Sequence, residues 1–318
     1  FLPYHHGVPG ARWLTILMNR INPALFSAAF SAWVRQTWPE RLDLVALDGK
    51  TSRRSHDRSN DKGPLHLVSA FATTSRLVLG QEAVADKTNE ITAIPLLLDR
   101  LAAQDGLKGA LVSIDAIATN PAIATAIRAA DADYLLAVKA NQPTLRSEIE
   151  TFFADASPAS VASVTEFDKG HGRIEQRTVT VAHEIDWLNG EHRFPGELRL
   201  PDVATIIKVA ARTELKDRGR FETRYYVSSA TLSAPRAADA IRRHWSIENS
   251  LHWVLDATFG DDQSRLRTGH GAINMAIVRH FAINLVRSVH DKRSIRLRRK
   301  CAGWNPDYLA TILGHLPR

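Results

Sequence analysis

Between residues 42 and 153 the spacing of apolar side chains changes character repeatedly, and that succession limits what the chain can fold into. Leu42 to Leu47 is a short apolar run ending in Asp48-Gly49, and LHLVSAFA and RLVLGQEAVA follow as two more strand-like runs. Three strands so close in sequence predict an antiparallel set. From Thr88 the period becomes helical: Ile91, Ile94, Leu97, Leu98 and Leu101 share one face, Thr88 or Asn89 can cap it, and Pro95 lies near the first turn. ALVSID (110–115), PAIATAIRAA and DYLLAVKAN then alternate strand, helix and strand, as parallel crossovers require, and TLRSEIETFF adds a helix. The expected class is α/β, a mixed sheet flanked by helices.

The flanking regions read differently. Residues 1–40 repeat apolar positions at helical spacing, with Leu14, Leu17, Met18 and Ile21 as one stripe, and form a helical N-terminal segment. Residues 41–156 make the first part of a core. Residues 157–230 are β-rich, with RTVTVAHEI, VATIIKVAARTEL and FETRYYVSSA separated by turns such as NGEHRFPGE, and read as an insertion. Helical spacing returns at Pro235, runs through IRRHWSIENSLHWVLDATF and resumes in INMAIVRHFAINLVRSV, so residues 231–290 complete the core. Residues 291–318 form a basic tail in which KRSIRLRRK is the densest run of positive charge.

Lys and Arg outnumber Asp and Glu by 41 to 34, giving a net charge of +7 and a pI near 9.7, which favours an anionic partner such as nucleic acid. The single cysteine, Cys301, excludes an intrachain disulfide and fits a reducing, cytoplasmic setting. No apolar run approaches the ~20 residues that cross a bilayer, so no membrane partner is expected. The opening FLPYHHGVPG lacks both an initiating Met and a secretory pattern, so a segment upstream is expected.

Three carboxylates stand out by position. Asp48 ends the first strand, Asp115 ends the strand after the crossover helix, and Glu248 sits in a later helix. If the first and fourth strands in chain order are neighbours, the two aspartates converge and a packed helix can add the glutamate. Carboxylates held so close repel one another unless divalent cations, which favour oxygen ligands, lie between them. Each residue also has a blander reading: Asp48-Gly49 as a hairpin turn, Asp115 as a cap for the helix near Pro121, and Glu248 as a solvated helix residue.

The stretches ALDGKTSRRS, DKTNEITAIPLLLDRL, LVSIDA, LLAVKANQ, GHGRIEQR and HWSIENSLHWVLDATFGDD, in this order and spacing, resemble the H-repeat-associated group of bacterial insertion-sequence transposases, within the wider DDE class. The resemblance implies an RNase H-like core in which Asp48, Asp115 and Glu248 are the catalytic, metal-binding triad, holding two Mg²⁺ ions for which Mn²⁺ can substitute. It implies cleavage of double-stranded DNA at the terminal inverted repeats of an element, then strand transfer into target DNA, by a homodimer in a synaptic complex. It also implies a nucleoid-associated location. This chain departs from the group after SIDA, where Ile117-Ala118-Thr119-Asn120 replaces the usual Met-Gly-Cys-Gln. The wider class carries Tyr and Lys where His244 and Leu255 stand here, so only Glu248 carries over from that signature.

Around the triad, His244, Glu248, His252 and Asp256 recur every four residues and form one polar stripe on a helix, so His244, His252 and Asp256 are auxiliary candidates. A zinc site of His244, Glu248 and His252 is the rival, and it lacks a fourth ligand. Trp245 and Trp253 read as packing residues. Lys50, Arg53 and Arg54 follow Asp48, Lys139, Asn141 and Gln142 follow the strand after Asp115, and His171, Arg173 and Arg177 enter the β-rich region; these and Arg243 are the expected DNA contacts. Two other functions remain open, a catalytically impaired DNA-binding remnant and a general RNase H-like nuclease.

Overall fold

The computed structural model describes residues 7, 9–39, 43–56, 63–84, 90–104, 106–170, 173–189, 197, 199–215 and 218–314. Nine strands share one mixed sheet in the order β3-β2-β1-β4-β5-β9-β8-β7-β6. They are β1 (Leu44–Thr51), β2 (His66–Ala72), β3 (Leu77–Val84), β4 (Leu111–Ile114), β5 (Asp133–Val138), β6 (Ala162–Gly170), β7 (Arg173–Ala182), β8 (Thr205–Leu215) and β9 (Arg218–Ser228). The pairs β2–β3, β5–β9, β9–β8, β8–β7 and β7–β6 are antiparallel, while β4 and β5, joined through a helix, are parallel. An antiparallel set followed by a parallel crossover is the mixed sheet flanked by helices that the sequence predicts, the arrangement implied by the resemblance to DDE transposases.

By compactness the chain forms two units: residues 1–42, 47–106 and 246–318, and residues 43–46 and 107–245. Strand β1 belongs to both.

The first unit contains α1 (Ala11–Arg20), α2 (Pro23–Thr37), α3 (Glu90–Ala102), a π-helical turn at Glu248–His252, α7 (Trp253–Phe259), α8 (Gly271–Ser288), α9 (Ile295–Trp304) and α10 (Pro306–Leu313). Asn22 caps α2 by accepting from the amides of Ala24 and Leu25, with Pro23 at the first helical position. Phe30 of α2 lies edge-on to Phe281 of α8, with ring centroids 4.7 Å apart. β3 is the edge of the sheet, and α8 closes that edge: the Asn284 amide accepts from Val78 N–H at 2.9 Å and donates to Val78 C=O at 2.8 Å. Expected features shift in detail here. Pro95 falls inside α3 rather than in its first turn. No residue of α1 is fully buried, and Leu14 of its apolar stripe is exposed. The basic tail is helical, folding as α9 and α10 onto α8 around Val286, Val289 and Ile312. Thr88 and Asn89 lie outside the described residues.

The second unit contains α4 (Pro121–Ala129), α5 (Pro143–Asp155) and α6 (Ala234–His244). Its core joins Leu44, Leu111 and Leu135 to Val179, Val181, Ile207 and the Ala237, Ala238 and Ile241 face of α6. Tyr134 on β5 is fully buried and donates its hydroxyl to Pro201 C=O at 2.6 Å. The β-rich region supplies β6 as well as the three expected strands, and all four continue the sheet beyond β5. Most of the expected turn NGEHRFPGE lies outside the described residues. The helix expected to run from Pro235 to Phe259 breaks at Trp245, after α6.

Candidate active site

Asp48 and Gly49 lie inside β1 rather than in a hairpin turn. The strand continues because Gly49 leaves space that a side chain would close. A Cβ there would meet Glu90 Oε1 at 2.3 Å and His66 Nε2 at 2.7 Å. Those two atoms form a 2.6 Å hydrogen bond, and Thr51 Oγ1 sits 2.7 Å from His66 Nδ1. The tautomer that satisfies both donates from Nε2 to Glu90 and accepts from Thr51. A part-buried three-residue chain thus anchors β1 at Thr51, two residues past Gly49.

Asp48 is half-buried. Its Oδ1 accepts from the Gly49 amide at 2.9 Å, and His252 Nδ1 lies 3.5 Å from its Oδ2. Burial, helped by the charge of Lys50, pushes the His252 imidazole down to about 4, so it is neutral near pH 7 and faces Asp48 as a dipole. Glu248 opens the π-helical turn that His252 ends, and the Trp253 N–H bonds back to Glu248 C=O across the widened ring. Glu248 is exposed. The expected single stripe is therefore divided: His252 and Asp256 both meet β1, while His244, on α6 of the second unit, bonds Ser113 Oγ at 2.9 Å.

In the second unit β4 runs directly into Asp115. Burial works to raise its carboxyl. The hydrogen bond from Lys139, the Ala116 amide and the charges of Lys139 and His244 outweigh that, and the net shift is downward. Lys139 Nζ stands 2.8 Å away. The turn after Asp115 is held from below by Gln142, which is buried, donates to the C=O of Ala116 and Thr119 and accepts from the Lys139 amide. Thr119 donates to Ala137 C=O at 2.8 Å, and Asn120, not Asp115, caps α4. The departure Ile117-Ala118-Thr119-Asn120 therefore builds a turn held by the hydrogen bonds of Thr119, Asn120 and Gln142.

The family of the Transposase DDE domain matches residues 39–285. The chain belongs to this DDE transposase family. It is 35% identical to YbfL of Escherichia coli strain K12 over 317 residues, covering 98% of this chain and 82% of the relative. The H repeat-associated protein YhhI of that strain matches with the same identity and coverage. A protein from the dhlA 3′ region of Xanthobacter autotrophicus is 39% identical over 236 residues, 73% of this chain and 76% of the relative. Among solved structures, a piggyBac transposase synaptic complex with hairpin DNA aligns with 94% of this chain and 64% of its own, at 12% identity and a TM-score of 0.36.

DDE transposases work with divalent metal ions. Among the described residues of this transposase, one group of three side chains brings potential ligand atoms within 4.8 Å of one another: Asp256, Asp261 and Asp262. The expected triad is not that group. Lys50 reaches into it, with Nζ 2.8 Å from Asp256, 3.1 Å from Asp261 and 3.5 Å from Asp262. Ser52 and Arg279 also bond Asp261, at 2.6 and 2.7 Å. Burial opposes ionisation of both Lys50 and Asp261, yet the opposite charges prevail, so Lys50 is raised and Asp261 lowered from their ordinary values. The sequence reading missed Asp261, Asp262, Ser52 and Arg279; the adjacent pair in GDD was the available signal.

Of the DNA contacts expected for the transposase, several turn inward. Lys50 is held in the aspartate group, Gln142 supports the turn after Asp115, Arg243 bridges Asp43 and Asp239, and Arg177 is bonded to Glu175 on its own strand. Asn141 is exposed but donates to Ala116 C=O. Arg53, 82% exposed, touches Asp262 with its guanidinium, and Arg54 is exposed. His171 lies outside the described residues, and so does the side chain of Arg173, whose backbone pairs with Gly170. Trp245 and Trp253, expected to pack, are 43% and 64% exposed; the Arg224 guanidinium lies 5.2 Å from the Trp245 ring.

Proposed function

We propose that this transposase cuts double-stranded DNA at the terminal repeats of an insertion sequence and joins the freed ends to target DNA, with Asp48, Asp115 and Glu248 as its catalytic, metal-binding carboxylates. The observation that carries the reading is the strand order: β1 bears Asp48, and its neighbour in the sheet, β4, leads into Asp115. The π-helical turn that opens on Glu248 places His252 against Asp48. In the first phase water attacks a phosphodiester; in the second the freed 3′-hydroxyl attacks target DNA. Both proceed in line.

The donor set fits hard cations, since all three are carboxylates and Asp115 is held ionised. Two Mg²⁺ ions, or Mn²⁺ in their place, would be held by these three residues and would stabilise charge on the attacking and leaving oxygens. The chain's own groups set the stage. Lys139 neutralises Asp115 and stands within reach of a phosphate beside it. Neutral His252 orients Asp48 without competing for its charge. A homodimer in a synaptic complex would hold both ends of the element.

Nicking of end-containing duplex in Mg²⁺ or Mn²⁺ tests this. Asp48→Ala, Asp115→Ala and Glu248→Ala should each lower the rate at least about a hundredfold, because several kcal/mol of charge stabilisation is lost. DNA binding should persist. Cleavage that survives all three changes rejects the site, and equal cutting of random duplex identifies a general nuclease instead.

A further inference from the structure

The distal half of the β6–β9 sheet has one covered and one open face. Residues directly opposite one another on paired strands point the same way. Phe167 pairs with Gln176, Gln176 with Arg212, and Arg212 with Phe221, so these four side chains form a single row across four strands. At the proximal end this face is covered by α5, where Phe153 stacks on Tyr225 and Lys208 lies over the Phe153 ring. The row itself is open. Phe167 is 72% exposed and Phe221 75%, about 14 Å apart by strand spacing, and the Arg212 guanidinium lies 5.5 Å from the Phe221 ring.

The acids of these strands are sorted by face, while cations stand on both, with Arg177, Arg220 and Arg224 on the covered side. Among the described side chains of these strands, Glu214 is the only acid on the open face, which carries Lys169, Lys208 and Arg212; this acid pairs with Arg212 at 2.7 Å, an exposed ion pair that a phosphate can compete for. Glu166, Asp168, Glu175 and Glu222 lie on the opposite face, where α6 packs and Arg242 bonds Glu166. Two exposed phenyl rings among cations, on a flat surface cleared of all but one acid, match a strand of nucleic acid whose bases are not paired. The rings offer stacking partners that a duplex, with its base faces hidden, cannot use.

We infer that the open face of β6–β9 is a docking surface for single-stranded DNA, with Phe167 and Phe221 stacking on bases and Arg212 and Lys169 meeting the backbone. The inference rests on the DNA-processing reading above and supplies a place for the strand that cleavage and joining expose.

Fluorescence anisotropy of the full chain with a labelled single strand of mixed sequence, and with its blunt duplex, tests it. The double variant Phe167→Ala/Phe221→Ala should weaken single-strand binding at least about tenfold, the scale of base–aromatic stacking, and duplex binding less than about twofold. Phe167→Leu/Phe221→Leu retains the apolar bulk while removing the π-faces, so it should show the same selective loss with an unchanged unfolding midpoint. Unaltered single-strand affinity in the leucine variant overturns the inference, as does an equal loss on duplex. A shift from dimer to monomer in sedimentation with single-strand affinity intact also overturns it, and identifies the face as an interface between copies. Normal triad results combined with any of these reject this surface alone.

Discussion

Lys50 shows how far a residue's role can depend on partners remote in sequence. Its expected place was beside a phosphate, as a cation two residues past Asp48. The structure buries it to 11% exposure among three aspartates, and its bond to Asp261 spans 211 residues. An ammonium so placed takes the position a metal would occupy between like charges. Lys50→Ala leaves those carboxylates facing one another, with Arg279 and Ser52 supporting Asp261 and Arg53 supporting Asp262. It should cost about 3–5 kcal/mol of stability, the usual result of removing one partner from a buried charge cluster. Because the aspartate oxygens lie within 4.8 Å, the vacated position suits a divalent cation. The urea midpoint of the variant should therefore rise more in millimolar Ca²⁺ than that of the wild type; a variant that gains no more than the wild type means the carboxylates relax apart. Asp48, Asp115 and Glu248 drew attention in the sequence because apolar spacing put the first two at expected strand ends and the third in an expected helix, although β1 runs on past Asp48. Asp261 and Asp262 were not, since nothing local distinguishes a structural acid pair from a solvated one.

Strands were legible where both faces are buried, because they then read as continuous apolar runs. β2, β3, β4 and β5 announce themselves as apolar runs. β6 does not: ASVTEFDKG carries an exposed Phe167 and a row of charges, because one of its faces is open and the other bears ion pairs. β1 outran its expected end because Gly49, which reads as a turn signal, is required by the close approach of Glu90 and His66. On α8 the fully buried His280 packs near Phe30. Burial drives its imidazole down to about 3, from 6.5. A depressed histidine is neutral in the folded state while the unfolded chain takes up a proton, so stability falls as pH drops from about 6.5 toward 3. The expected slope is about 1.4 kcal/mol per pH unit from this residue. His280→Leu should flatten urea midpoints measured between pH 6.5 and 4.5 by about that amount per unit, and an unchanged slope would place the titration elsewhere.

For the whole molecule, the charge of +7 favours an anionic partner. With Lys50, Arg243 and Arg177 engaged internally, the outward cations are fewer than composition suggests, but Arg53, Arg54, Lys139 and the helical 295–304 segment keep exposed charge. Duplex affinity should fall steeply with salt, by several log units per log unit of concentration, as phosphate counterions are released. A flat response in a salt titration would disprove a backbone-dominated mode. No helix among the described residues is long and apolar enough to cross a membrane. The succession of elements was readable over most of the chain; the break after α6 was not, because a helical period continues through Trp245 while the backbone does not.

The widened turn at Glu248–His252 amounts to one surplus residue wound into a helix. Deleting a single residue between those two positions would let ordinary winding resume, with little damage to the flanking hydrogen bonds. Glu248 would then turn by about 100° relative to α7. Such a shortened protein would keep α7 and lose the register between Glu248 and His252, so that folding and the proposed role of Glu248 could be judged apart.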